Sequence, residues 1–596
     1  MVSAKLLPSP TNTRSSTIHY HEVFSNIALL RYGHAFRLTL YGCWLASIIM
    51  GLFAPIGWIW WLLPLRAFPL IVACFIVLTL RKAHHHAKAL SYPNFFTEVV
   101  TRTVLKPFFL TTLASYLASS FLFFLLYKRQ IDLPFTIKPR PFEPPVLNEQ
   151  YVYVNGFAIY VAVLYSLVHV LLDYDYLNFT GIPVNRPPRR RVSEKFPDVV
   201  AVSLTYAVIA TLSFPLVYAV IRRPVWDWSL LFSRMFFKLH KSNAYYAWPA
   251  TFKMMAHSFF SSLVLIWLWE LCNTVFTVYL TLGPLHRGVP ISDKAPAKNE
   301  TLITGLQSRA KPTTRVVAFQ ELFYISINDP QRRTSIYEEL EQRGPTSVPS
   351  AWDRIQKECL SALKEVVAEL QPPVKPKVEE KPVQDKVQVT NSGVLSLKRA
   401  DIFANPGRKE TSSRLVDNLQ DDSGHQSKVV VGYMEQAWTL LHGFLQRYSE
   451  LVVTVLRTPF GYPFRCTIDR RINQIVPDPT VIFCAILSLD NMVVHSVEGD
   501  KYGIVHRYIP DILQQLCVLG KLVEGFIASP PYHWTDVGPH TKETRNLRLL
   551  QDILETIDNA FKDIVCNPDL HLDQMNLTPE VKQKSRQMKQ VMVERR

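Results

Sequence analysis

The chain has 596 residues, 65 Lys and Arg against 49 Asp and Glu, a formal net charge of +16 and 48% hydrophobic residues. The apolar runs all lie before Pro284 and the basic residues gather beside them, not in a stripe with interleaved aromatics, which argues against direct nucleic-acid binding. The eight cysteines form no CxxC pair and three lie inside apolar runs, so neither a disulfide framework nor a zinc site is read.

The first thirty residues are polar, and the apolar block that follows is too long for a signal h-region, so no cleavable signal peptide is expected. Phe36 to Leu80 is apolar apart from Arg66 and a scatter of Gly, Ser, Thr and Pro, a length that a soluble core cannot bury and a bilayer can. Six spans are predicted, at about 38–57, 59–80, 105–127, 151–172, 198–220 and 258–282. The break between the first two is placed at Pro55 and Gly57, which leaves Arg66 inside the second span. A break at Pro64 to Pro69 instead leaves the second span short.

Nineteen Lys and Arg fall on the amino-terminal side of these spans against eleven on the other, which puts both termini in the cytosol. The sequons at Asn178, Asn299 and Asn576 then all lie where no glycan can be added.

Between the fifth and sixth spans, WDWSLLFSRMFFKLHK over 226–241 has two readings. One is an interfacial helix with Trp226 and Trp228 at the boundary and Phe232, Phe236 and Phe237 toward lipid. The other is an ordinary connecting helix packed on the spans.

Beyond the last span, 283–370 is a cytosolic segment with helical patterns over 313–342 and 351–370. Residues 371–428 are rich in Pro, Lys, Glu, Asp and Ser and read as a flexible linker. From 429 a carboxy-terminal helical domain is expected, opening with an apolar stripe from Met434 to Val455. Residues 479–489 are too short to span and read as a buried core helix. Ile509 to Phe526 and Leu547 to Ile564 repeat apolar residues every three or four positions, predicting two helices packed antiparallel in a bundle. The tail from Pro579 reads as a solvated basic helix or a frayed end. The fold class is therefore all-α: a six-helix transmembrane domain followed by a cytosolic helical domain.

No Gly-rich phosphate loop, G-x-S-x-G elbow, H-E-x-x-H or kinase signature occurs, so no enzyme, cofactor or small-molecule substrate is expected. His84, His85 and His86 are adjacent and point apart on a helix, which suits a basic loop facing lipid phosphates better than a metal. Glu270 lies mid-span, where an acid raises a functional question. Only Arg66 and His169 offer titratable companions in the other spans, so a structural role paired with Arg66 is favoured over an ion path. A transporter or channel is the main alternative; its expected polar spans, paired broken helices and short tail are missing. A membrane-embedded lipid enzyme would need clustered His and Asp at the interface, and they are not there.

The segments AFQELFYISINDPQRRTSIY and EGDKYGIVHRYIPDILQQL, with six spans and a basic second half, resemble the six-span transmembrane nucleoporins of the nuclear pore membrane. In that family an acidic residue precedes Tyr-Gly-Val/Ile-Val and a Pro-containing helix, here Asp500, Tyr502, Gly503, Ile504, Val505 and Pro510. The resemblance is to a fungal member of the group that also serves spindle pole body insertion. It implies a non-enzymatic anchor in the nuclear envelope with both termini on the cytosol and pore side. Its partners would be the envelope bilayer, membrane-ring and inner-ring nucleoporins and spindle pole body components.

Overall fold

A computed structural model describes residues 18–52, 63–105, 107–138, 144–179, 186–239, 248–341, 349–371, 452–531, 535, 547–572 and 575–595. The first helix, α1, runs Tyr20–Leu52. It starts well ahead of the expected span at 38, because the apolar positions Tyr20, Phe24 and Ile27 already follow helical spacing and are buried. The second, α2 (Leu63–His84), carries Pro64 in its first turn and Pro69 inside it. The helix therefore continues through Pro64–Pro69, while the expected break at Pro55 and Gly57 lies outside the described residues.

A short α3 (Phe95–Val100) is capped by the Asn94 side chain, which accepts from the Thr97 amide at 2.9 Å. It leads through a π turn into α4 (Phe108–Gln130). A small antiparallel hairpin, β1 (Thr136–Ile137) with β2 (Val146–Leu147), precedes α5 (Glu149–Leu171), capped by Asn148. Then come α6 (Pro188–Phe236) and α7 (Phe252–Leu280). Here the structure corrects the sequence reading: 198–220 and 226–236 belong to one 49-residue helix. At 1.5 Å per residue it is about 73 Å long, more than twice the hydrocarbon thickness of a bilayer.

Five of these helices, α2, α4, α5, α6 and α7, are long and apolar enough to cross a membrane. Packed against α1, α2, α4, α5 and α6, α7 is the most enclosed. In contrast, α4 and α6 keep an exposed apolar flank at Leu110, Phe121, Leu212, Leu216 and Val220, the surface expected to meet lipid.

After α7 a second hairpin pairs β3 (Leu285–His286) with β4 (Val289–Pro290). Its turn residues Arg287 and Gly288 sit at φ 57° and 82°, the two positive values of a type I′ turn. Helices α8 (Lys298–Leu306), α9 (Pro312–Asn328), α10 (Pro330–Glu338) and α11 (Ala351–Leu370) follow. The last group is α12 (Ile468–Ile475), α13 (Pro479–Val494), α14 (Ile509–Ala528), α15 (Arg548–Cys566) and α16 (Pro579–Arg595). Proline stands in the first turn of α6, α9, α10, α13 and α14, where its missing N–H is no loss.

Met1–Leu370, Cys466–His533 and His540–Arg596 form one compact unit. Its apolar core is continuous from Leu70 and Phe157 in the membrane helices, through Leu302 and Trp352, to Ile486, Leu516 and Ile557. The α14 and α15 stripes face each other, and each fully buried Leu, Ile or Phe contributes about 1.5–3 kcal/mol. The tail is a helix docked on this pair: Val581 is buried, and Lys584 reaches Asp558 at 2.8 Å.

The second unit, Gln371–Arg465 with Trp534–Pro539, is described only at 371, 452–465 and 535. There the Arg465 guanidinium closes a 3-10 stretch by donating to the Leu456 and Thr458 carbonyls. All of the predicted linker 371–428 after its first residue, and most of the Met434–Val455 stripe, lie outside the described residues.

Candidate functional site

The polar residues of this chain converge where the membrane helices meet the helical bundle. Arg81, at the end of α2, is fully buried. It donates to Asp175 Oδ1 at 2.8 Å and to Thr277 Oγ1 at 2.9 Å, and lies 5.0 Å from the centre of the Phe276 ring. His169 of α5 reaches the other Asp175 oxygen through Nε2 at 3.1 Å and the Tyr116 hydroxyl through Nδ1 at 2.9 Å. Burial alone would raise the Asp175 carboxyl. The His169 hydrogen bond and charge, with the Arg81 charge, outweigh it and hold the group at about 2.

Glu270 of α7 stands beside this chain of contacts. Its Oε1 accepts from Tyr165 at 2.9 Å and Tyr174 at 3.1 Å, and Asn273 donates to the Tyr165 oxygen at 2.9 Å. Glu270 thus has two tyrosine hydroxyls as partners; the side chain of Arg66, its expected partner, lies outside the described residues. The two carboxylates of the network, Asp175 and Glu270, each accept from protein groups, which suits a clamp joining α2, α4, α5 and α7.

Closer to the bundle, Asp173 accepts from Arg102 at 3.1 Å and His86 at 3.3 Å. Burial alone would lower His86, but the Asp173 hydrogen bond and charge hold it above its ordinary value. Glu98 joins Arg102 at 3.2 Å to Arg470 of α12 at 2.6 Å. Three hydrogen bonds to backbone carbonyls stitch the same seam: Ala89 N to Pro477 O, Leu177 N to His86 O, and Thr480 Oγ1 to Phe179 O. The His84 ring packs tilted against Phe108, ring centres 4.1 Å apart, and His85 Nδ1 lies 2.9 Å from the Lys82 carbonyl, so the three adjacent histidines diverge.

The first turns of α1 supply a second tie. The Tyr20 hydroxyl donates to Glu321 Oε2 at 2.7 Å, the Ser292 amide donates to Oε1 at 2.8 Å, and the Tyr20 amide donates to Thr304. Burial lifts the Glu321 carboxyl to about 6 against these hydrogen bonds. About three turns further on, Arg31 caps the end of α7 by donating to the Leu282, Gly283 and Leu285 carbonyls.

The motif of 500–510 is a structural turn. Asp500 accepts from the Tyr502 amide at 3.2 Å and the Val505 amide at 2.7 Å, and Gly503 takes φ 63°. Val505 is buried, Ile504 is partly buried, and Pro510 opens α14. Tyr502 points outward, 60% exposed. A preceding glycine, Gly499, lets Tyr337 approach, and the Tyr337 hydroxyl donates to the Met492 carbonyl at 2.8 Å, pinning α10 to α13.

On α6 the aromatic segment divides. Trp226 is fully buried with Leu147, Val152 and Leu230, so it is a packing residue and not a boundary anchor. Trp228, Phe232, Phe236 and Phe237 are all more than half exposed.

Sequence reasoning did not find Arg81, Asp175, Arg102, Asp173, Tyr20 or Glu321. The one available signal was Asp173-Tyr-Asp175 directly after a span with His169 in its last turn: two acids placed where only basic residues were being counted.

The sequence model described as Nucleoporin protein Ndc1-Nup matches residues 28–586. The chain belongs to the Ndc1-Nup nucleoporin family. It is 22% identical over 604 residues to the nuclear envelope protein ndc1 of Schizosaccharomyces pombe, covering 96% of this chain and 97% of that one. It is 23% identical over 534 residues to nucleoporin NDC1 of Chaetomium thermophilum, covering 80% and 81%. Both relatives are fungal, in agreement with the resemblance carried by the two sequence segments. As an Ndc1-Nup protein with membrane-capable helices, the chain is a membrane nucleoporin, and nothing in these relatives supports a transporter. Ndc1-Nup membership implies a structural role.

Proposed function

We propose that this chain anchors the nuclear pore complex in the nuclear envelope without catalysing a reaction, supporting pore assembly and spindle pole body insertion. The observation that carries this reading is the family match over nearly the whole chain, in a molecule with five membrane-capable helices. On this reading α1 is the sixth span, and both termini face the cytosol and pore. Support comes from the seam described above, which draws the end of α2, the loops before α4 and after α5, and the end of α7 to the helical bundle, together with the start of α1. Asn299 adds to it: its Nδ2 donates to Glu339 at 2.8 Å and its Oδ1 accepts from Arg332, contacts that a glycan would break.

The division of labour we propose assigns membrane holding to 38–282 and docking of membrane-ring and inner-ring nucleoporins and spindle pole components to 283–370 and 429–596. A segment 1–37 and a linker 371–428 complete the arrangement, with the start of α1 serving as part of the bundle. Imaging the tagged full-length chain beside a pore marker tests this. A punctate nuclear rim is expected, with or without a spindle-pole focus; a plasma-membrane or vacuolar signal contradicts it. A chain cut at Pro284 is a poor comparison, since it strips Tyr20 of its partners Glu321 and Thr304.

A further inference from the structure

Where α1, α6 and α7 meet the β3–β4 hairpin, the surface opens into a cavity of about 890 Å³. Five arginines line it: Arg31, Arg37, Arg186, Arg189 and Arg287. Among the described residues that line it there is no carboxylate. Two of the five are committed, Arg31 to the α7 carbonyls and Arg186 to Glu194 at 3.2 Å. Arg37, Arg189 and Arg287 have no carboxylate partner among the described residues, and Arg37 leans on His34 at 2.8 Å. The type I′ turn holds Arg287 out on the hairpin tip. Partial burial, and then the charges of Lys294, Arg31 and Arg287, push His286 on the cavity wall below its ordinary value, as expected where cations are crowded.

The opposite wall is apolar. Leu38 and Tyr279 line it, and the same face of α1 continues past the cavity through Tyr41, Trp44 and Leu45, each more than 40% exposed. Residues 37, 41, 44 and 45 follow the three- and four-residue spacing of one helix face, so a guanidinium sits directly above an apolar track. A free anion would use the first and have no need of the second.

We propose that this cavity binds a phospholipid whose headgroup carries a phosphomonoester, the chemistry of phosphatidic acid and of phosphorylated inositol lipids. The phosphate lies among Arg37, Arg189 and Arg287, and an acyl chain runs along Tyr41, Trp44 and Leu45. Three uncompensated guanidiniums match a dianionic group better than the single charge of a phosphodiester, and forked donors suit phosphate oxygens. Basic pockets between membrane helices on the cytosolic side are suited to such headgroups. The proposal rests on the membrane reading above, but its test is a binding measurement on purified protein and does not depend on where the protein resides in the cell.

The full chain, purified in a neutral detergent, is titrated with dioleoyl phosphatidic acid, phosphatidylcholine or phosphatidylserine, and the lipid-bound fraction is read by native mass spectrometry. Phosphatidic acid is expected to bind at least tenfold more tightly than phosphatidylcholine and severalfold more tightly than phosphatidylserine. The triple variant Arg37→Gln, Arg189→Gln, Arg287→Gln loses that preference. A triple variant of exposed bundle lysines, Lys357→Gln, Lys364→Gln, Lys582→Gln, keeps it. The single change Arg287→Gln, on an exposed turn, gives a partial loss without risk to the fold. Tyr41→Ser with Trp44→Ser weakens phosphatidic acid binding as well. Equal binding of all three lipids, or undiminished preference in the arginine variants, overturns the proposal. So does displacement of the lipid by inorganic phosphate at equal concentration, which assigns the cavity to a free anion.

Discussion

The hydroxyl of Tyr20 donates to the buried carboxylate of Glu321 at 2.7 Å, tying the first turn of the first helix to a helix three hundred residues later. Through this contact and the Arg31 cap, α1 packs on the helical bundle as well as on α2 and α7, and on the proposed reading it is also the sixth span. The proposed anchor and the proposed docking region are thereby joined by packed structure at the amino terminus as well as by the chain after α7.

Tyr20→Phe removes one of the hydrogen-bond donors of Glu321 and leaves it those of Ser292. A loss of about 1–3 kcal/mol is expected, the usual cost of stripping a partner from a buried polar group. Hydrogen exchange should show it as faster opening of the first turns of α1, with α15 unchanged.

Glu321 also sets a pH dependence. Its folded value of about 6 lies above the ordinary 4.5, so the folded state holds the proton more tightly than the unfolded chain. The stability it contributes is complete below 4.5 and is lost as pH rises through about 6, a change of about 2 kcal/mol. Thermal unfolding followed from pH 5 to 7 should fall in the native chain, and Glu321→Gln should remove that part of the slope.

Asp175→Ala leaves the Arg81 guanidinium buried without its anion, which costs about 3–5 kcal/mol. The amount of folded protein should drop sharply. The double change Arg81→Met, Asp175→Leu should recover part of it, because no charge is then stranded. A normal amount of the single variant would show that the network does not hold the helices together.

Glu270→Gln keeps an oxygen for Tyr165 and Tyr174 and should be made and localised like the native chain. Glu270→Ala should fail by reduced amount. Protein present at the normal level and place but unable to support growth would instead point to an ion path through the membrane helices.

Within the 500–510 turn, Gly503→Ala places a side chain at φ 63° and should cost about 1–2 kcal/mol. Asp500→Ala removes acceptors from two amides and should cost a similar amount. Tyr502→Ala, on the surface, should leave unfolding unchanged, so any effect it has on pore association would report a contact with a partner.

The apolar runs made the membrane helices legible, because lipid demands length and hydrophobicity that nothing else does. The stripes at Ile509–Phe526 and Leu547–Ile564 were equally plain, since a helix that buries one face must repeat its apolar residues every three or four positions. What could not be read were pairings across great sequence separation. Nothing in YHEVFSNIALLRYGHA points to Glu321, and nothing around Arg81 points to Asp175. A lone arginine at the end of a span looks the same whether it faces headgroups or a buried acid. Trp226 failed for a related reason: the aromatic cluster was visible, but which ring turned inward depended on the β1–β2 hairpin and α5 packing beside α6.

The central claim is that six helices cross the envelope and both ends of the chain share one side. Glycan mapping tests it most directly: sequons placed one at a time in 131–148, in 237–251, ahead of Tyr20 and after Arg595, with the native Asn178, Asn299 and Asn576 removed in parallel. The account predicts that the two loop sites gain an endoglycosidase-sensitive glycan, that the terminal sites gain none, and that removing the native sequons changes nothing. A glycan at either terminus or on Asn299, or none at the two loops, would contradict it.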